Sequence, residues 1–481
     1  MSIYHRSPPQ PSQREGGERR QEEGERRKET GVIIKFKVQS SKFKDQRSKF
    51  KVQSSKISMD KEKGLLGQIN EGIHDACYIW AKEMKATIKD EGVLIFFILV
   101  PIFYPLLYSW AYNNEVVREV PVAIVDMSHS QLSRQYIREY NASPDVEVAY
   151  KCNDMDEAKD LVQKQVVSGI VLIPADFAER LNRMEQSSIS VYCDMSLMLT
   201  YKAIYQTAQT IATDLNEKIQ ISLSGNATDR EDQITSQPLA FDEVQIFNPA
   251  GGYGSFIIPA VLMLIIQQTL VLGIGLSAGT ARENNRYQDL IPISRHYNGL
   301  FRIVFGKTMC YFMIYVVMTA YLTLVIPKLF HFTSLFRVSD LIGLMLPYLL
   351  ACIFFGMFVS CILRYRENVM LLVVFATIPL LFLSGVSWPQ SNIPGYWQGF
   401  SWLFPSTFGV RAFVRLNSMG ATLQDIRVEY EALWIQVVVY FFATCAVYRY
   451  QIIHTRRRAL ERLNYMKERA QAAKSKKDMN L

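Results

Sequence analysis

The sequence predicts an α-helical polytopic membrane protein with six transmembrane helices and an α/β domain inserted on the extracytoplasmic side. Six apolar runs carry that prediction: Gly92 to Tyr112, Ser255 to Ser277, Ile303 to Ile326, Leu341 to Leu363, Val369 to Trp388 and Ala432 to Tyr448. Each approaches the roughly 20 residues that cross a bilayer. Between the first run and the second lie about 140 mostly polar residues, 113–254, enough for a domain. Short segments rich in Lys and Arg fall on one side of this arrangement. They hold Lys82, Lys85 and Lys89, then Arg282, Arg286, Arg295 and Arg302, then Arg364 and Arg366, then Arg456 to Arg458. The positive-inside bias therefore puts both termini in the cytoplasm and the large domain outside.

Residues 1–58 hold 15 Lys/Arg and 7 Asp/Glu, so the rest of the chain's 53 and 45 balances at 38 each. This head repeats Phe36 to Lys42 at Phe50 to Lys56 and has too little apolar surface to fold. A phosphate-binding arm is one reading. The favoured one is a segment absent from the natively translated protein, with ordinary complexity starting at Met59, so no nucleic-acid partner is expected. Over 64–90, Ile69, Ile73, Cys77, Trp80, Met84 and Ile88 recur at helical spacing, the pattern of a helix in the inner headgroup layer. The first span, 92–112, follows.

The inserted module, 113–254, alternates strand-like and helical stretches. Strands are expected at Val120 to Asp126, Val146 to Tyr150, Gly169 to Pro174 and Ser188 to Asp194. Helices are expected at Ser128 to Tyr140 with Ser128 as cap, Asp154 to Val167, Ala175 to Met184 and Leu197 to Leu223, before a linker at Gly225 to Pro238. Such alternation argues for a compact α/β fold. Cys152 and Cys193 are the candidate disulfide in an oxidising compartment, although spacing alone supplies no distance. The acids Asp126, Asp154 and Asp194 read as strand ends and helix caps. No Cys/His spacing suits a metal, and no nucleophile and base pair up, which disfavours an enzyme.

The five-span bundle occupies 255–453, its sixth run the shortest because Arg449 follows it, and a basic tail completes the chain at 454–481. Gln267 and Gln268 sit mid-span, where an unpaired amide is costly. They line a cargo path or a dimer seam, or they form an interhelical hydrogen bond. Gly299 to Thr308 has the wrong glycine spacing for a phosphate loop, so no ATPase is expected in this chain.

Two stretches resemble the ABC-2 type transporter permeases, in the subtype with a large extracytoplasmic domain between the first two helices. In the loop after the second span, Gly279, Thr280, Leu290, Pro292, Gly306 and Lys307 match that family's pattern. Beyond the fifth span, Ser384, Gly385, Trp388 and Pro389, then Pro394, Trp397 and Pro405, match its Pro-bounded hairpin entering the outer leaflet. The resemblance implies a permease subunit in the bacterial inner membrane, paired with a second permease chain as homo- or heterodimer. A separate ATP-binding cassette ATPase would carry ATP and Mg, this chain binding no cofactor of its own. Gly279, Thr280, Arg282, Glu283, Arg286, Leu290 and Pro292 would form the coupling loop that grips it. A periplasmic adaptor is a further expected partner by analogy. The apolar spans suit an amphipathic drug-like or lipid-like cargo moved outward, and membrane lipid would contact the basic tail. A membrane sensor or assembly scaffold with an exported ligand-binding domain is the alternative.

Overall fold

The computed structural model describes residues 65–225, 228–239, 244, 246–249, 251–283, 299–363 and 365–478. Residues 1–58, Arg286, Leu290 and Pro292 lie outside them. Six helices among the described residues are long and apolar enough to cross a membrane. These spans one to six are Glu91–Ala111, Tyr253–Arg282, Leu300–Leu329, Val338–Ile362, Arg366–Leu383 and Arg427–His454. Span two is apolar on every face and 94% of its window is buried, against 28% for span one and 17% for span five. It is the central helix, enclosed by its neighbours.

Two span boundaries differ from the sequence expectation. Span five stops at Leu383 rather than Trp388, because Gly385 takes φ +88° and turns the chain. At 18 residues it, not span six, is the shortest. Span six starts at Arg427, five residues before the apolar run. The acids of this added stretch are paired, Glu429 with Arg415 at 3.2 Å and Glu431 with Arg427 at 2.6 Å. Beyond the membrane the same helix runs unbroken to Asp478, 52 residues without a Pro or Gly. Single π-helical turns at Ile95–Leu99 and Tyr321–Val325 precede Pro101 and Pro327, where a missing N–H disturbs the α-helical ladder.

The described chain falls into two units. The smaller joins Leu65–Lys82 to Gly299–Lys307. There Arg302 Nη1 lies 2.6 Å from Asp75 Oδ2, and Gly306 packs on the Ala76 carbonyl and Ile79. The helix Leu65–Lys89 thus buries Asp75, Ala76 and Ile79, while Ile69 and Ile73 of the expected apolar stripe stay exposed.

The larger unit includes the inserted module, a four-stranded sheet in the order β2-β1-β3-β4, with β1 Val120–Asp126, β2 Val146–Cys152, β3 Gly169–Ile173 and β4 Ser190–Cys193. The first three are parallel and β4 is antiparallel to β3. Central β1 alternates its side chains between two cores. Val120, Val122 and Ile124 pack with Tyr136, Tyr140 and Ile204 on one face, and Ala123 and Val125 with Ala158 and Ile170 on the other. The helices on the first face are α1 Gln131–Asn141 and α4 Met198–Ser224. Those following β2 and β3 are α2 Met155–Gln163 and α3 Phe177–Asn182.

Helix α1 begins at Gln131, capped by Ser130 and not by Ser128. The carboxylate of Asp126 accepts the amides of Ser128 and His129, at 3.0 and 3.1 Å, which delays the helix by one turn-forming pair. Asp154 caps α2 through the Glu157 amide at 2.8 Å, as expected of it. The expected linker contains helix α5, Asp229–Ser236, closed by a Thr228/Glu231 capping box.

The candidate disulfide is corrected by the sheet order. Cys152 and Cys193 lie on opposite edge strands with β1 and β3 between them, and both are free thiols. Three strand steps separate them by about 14 Å, twice the reach of a disulfide. They also serve different faces, Cys152 one core and Cys193 the other.

Candidate functional site

The end of the bundle remote from the module is drawn together around the last turn of span two. Gly279 lies so close to span five that an added Cβ would meet Arg366 Cγ at 2.8 Å and its backbone at 3.2 Å. Arg366, at the start of span five, reaches Asp90 at 3.5 Å, and Asp90 caps the start of span one through the Val93 amide. Thr280 returns its hydroxyl to the Leu276 carbonyl at 2.9 Å.

Arg282 points the other way, donating Nη1 to the Leu363 carbonyl and Nη2 to that of Cys361 at 3.3 Å. The side chain of Gln451, from span six, donates to the same Cys361 oxygen at 3.1 Å. These are the last carbonyls of span four, which have no partner within their own helix. A guanidinium there satisfies them and complements the negative end of the helix dipole. The root of the loop therefore ties spans one, two, four, five and six into one clasp. Of the sequence-predicted loop residues, Gly279, Thr280 and Arg282 meet in it. Glu283 ends the described part of the helix, and the remaining three lie beyond it. Asp90, Arg366 and Gln451 were not picked out as site residues. Their signal was charge or amide at a span terminus, which positive-inside counting absorbs without asking for a partner.

At the module end, span five gives way to a hairpin. The carbonyl of Ser384 accepts from Arg411 Nε at 3.1 Å beside the Gly385 turn. Pro389 and a single 3-10 turn lead to helix α6, Gly395–Ser401, preceded by Pro394. Residues 402–404 link it to helix α7, Pro405–Met419, with Pro405 in its first turn. Trp388, Trp397 and Trp402 are all about half exposed.

Buried non-helical backbone must have its polar groups met by protein. Span six supplies Gln436 Nε2 to the Trp402 carbonyl at 2.7 Å and the Tyr440 hydroxyl to that of Leu403. Thr407 Oγ1 donates to the Ser401 carbonyl at 2.7 Å. Gln267 Oε1 accepts the Ser406 amide at 2.6 Å. Gln267 is 1% exposed, and its amide oxygen makes an interhelical hydrogen bond. Gln268 is similarly enclosed, its Nε2 without a partner among the described residues.

A second set of contacts fixes the module's root. Glu115, in the left-handed region at φ 52°, accepts from Ser255 Oγ at 2.5 Å, and its carbonyl takes the Tyr253 amide at 2.9 Å. Ser255 Oγ receives the Thr333 amide at 3.4 Å, and the Thr333 carbonyl receives Asn417 Nδ2 at 3.2 Å. The module, span two, the loop before span four and helix α7 are thereby joined at one end as the clasp joins the other.

The chain matches the model of the ABC-2 family transporter proteins over residues 92–446. It is 19% identical over 376 residues to the probable multidrug ABC transporter permease YbhR of Escherichia coli K12, spanning 74% of this chain and 93% of that protein. It is 23% identical over 347 residues to the probable multidrug ABC transporter permease YbhS of the same strain, spanning 70% and 87%. A family match running from the start of span one into span six, over helices arranged as above, makes this chain a member of the ABC-2 transporter family and a permease subunit of an ABC transporter.

Proposed function

We propose that the permease works as an exporter, as half of a permease dimer, in the bacterial inner membrane with both termini inside. A separate ATPase, holding ATP and Mg, docks on the loop that begins at Glu283 and includes Arg286, Leu290 and Pro292. The observation that carries this reading is the clasp at Gly279 and Arg282, because it joins the root of that loop to four other spans. A bundle whose helices are tied at both ends tilts as bodies, the motion that alternating access needs. The cargo is an amphipathic drug-like or lipid-like molecule, in keeping with the multidrug names of the relatives and with the half-exposed tryptophans of the hairpin. The module faces outward, where an adaptor would receive cargo.

The test separates docking from transmission. Purified with its ATPase partner, the complex should lose that partner when Glu283 and Arg286 are reversed in charge. Arg282→Gln should keep the partner and its ATP turnover while transport falls, since this side chain is engaged with span four. Loss of partner on Arg282→Gln with none on the reversals would end the proposal.

A further inference from the structure

We infer that Arg411 forms an anion-binding site in the hairpin, selecting amphiphiles that carry a phosphate or similar acidic group. Among the described residues its Nε alone is engaged, with the Ser384 carbonyl at 3.1 Å. Its Nη2 is sealed from solvent with no acceptor among the described residues. Among the described residues no carboxylate pairs with it: the acid in electrostatic reach, Glu429, is held by Arg415 at 3.2 and 3.3 Å. Arg415 holds Glu429 and also donates to the Asp425 carbonyl, so Arg411 is left without an ion pair among the described residues. The Ser384 carbonyl fixes the guanidinium plane, and the φ +88° turn at Gly385, whose Cβ would stand 3.8 Å from Nε, brings the two together. This gives the Ser384–Gly385 pair a task beyond turning the chain.

The depth of the site follows from the tryptophans around it. Trp388, Trp397 and Trp402, in the same hairpin, have half-exposed rings of the kind that settle at the membrane–water interface. Lipid phosphates lie at that level, and a planar guanidinium without an ion pair among the described residues matches a tetrahedral oxyanion. A desolvated cation without a counter-ion is costly in such a place. An acidic headgroup offsets that cost, and a neutral one does not. Assigning the hairpin to the outer leaflet rests on the exporter reading, whereas the chemistry of the site does not.

The test uses the full-length permease in uncharged maltoside micelles. Two brominated single-chain probes of equal length, lysophosphatidylglycerol and monoacylglycerol, are titrated while tryptophan fluorescence is followed. The phosphate probe should half-quench at about one-tenth the concentration of the neutral one. Arg411→Gln should bring the two curves together, Arg411→Lys should keep most of the gap, and Glu429→Gln should widen it, a gain that misfolding would not produce. Equal curves for the native chain, or a gap that survives Arg411→Gln, would overturn the site. With the ATPase partner bound, quenching that collapses on adding ATP marks the acidic group as the cargo's, and quenching that persists marks a resident lipid; the site stands in either case. Absence of any ATPase partner would defeat the exporter reading and leave the titration on the permease alone to decide the site.

Discussion

Gln267 holds the first amide of helix α7 across 139 residues of sequence, through a bond with no water to replace it. Gln267→Leu removes the acceptor at nearly constant volume, so the expected loss is that of one buried unsatisfied amide, about 1–3 kcal/mol. A lowered melting temperature of the monodisperse detergent-solubilised peak would report it, and an unchanged one would refute the role. Gly279→Val makes a different kind of demand, since the added side chain meets backbone atoms of Arg366 that cannot swing aside and span five must retreat. Assembly with the ATPase should persist while transport is lost. Both residues were visible in the sequence, Gln267 as a polar intrusion and Gly279 by family pattern. Their partners were not visible, because nothing in an apolar run marks which neighbour a buried amide or a missing Cβ will face.

Among the elements, the module's strands and helices were readable from the switch between two-residue and helical periodicity, and their ends mostly from caps. Helix α5 was readable too, from Thr228 and Glu231 three apart, had the capping box been weighed above the Gly, Ser and Pro around it. The sheet order was not, and it decides the cysteines: alkylation under denaturing, non-reducing conditions should modify Cys152 and Cys193 fully. Helices α1 and α4 are linked by Lys218 donating to Glu139 at 2.9 Å. That hydrogen bond, with a second from Gln135, holds the Glu139 carboxyl below its usual range. Because the folded value is the lower one, the link contributes above the ordinary carboxylate pKa and is lost as pH falls through the depressed value. Hydrogen exchange in α1, corrected for intrinsic rates, should quicken as pH falls below about 4.3, and Glu139→Gln should flatten that change. The effect is small, as both groups keep contact with solvent.

For the whole molecule, count and order of spans were legible because the bilayer imposes a length on apolar runs. Boundaries were less so wherever charges paired, as at Glu429 and Glu431, or where a left-handed glycine ended a helix inside an apolar run. Orientation is a prediction at this scale: a lone cysteine placed at Arg230 should react with an impermeant maleimide in intact cells, and one at Arg449 only after permeabilisation.

The unbroken helix from Arg427 to Asp478 makes span six a lever. Past His454 it carries about 24 residues, or about 36 Å at 1.5 Å per residue, with no Pro or Gly at which to bend. A rocking of about 10° within the lipid would sweep its tip by about 6 Å, magnifying small movements near the substrate into displacements at the height where a docked motor sits. Spin labels at residues 362 and 472 of one chain should then change separation between nucleotide states by more than labels at 362 and 452, and an Ala459→Pro break should erase the difference.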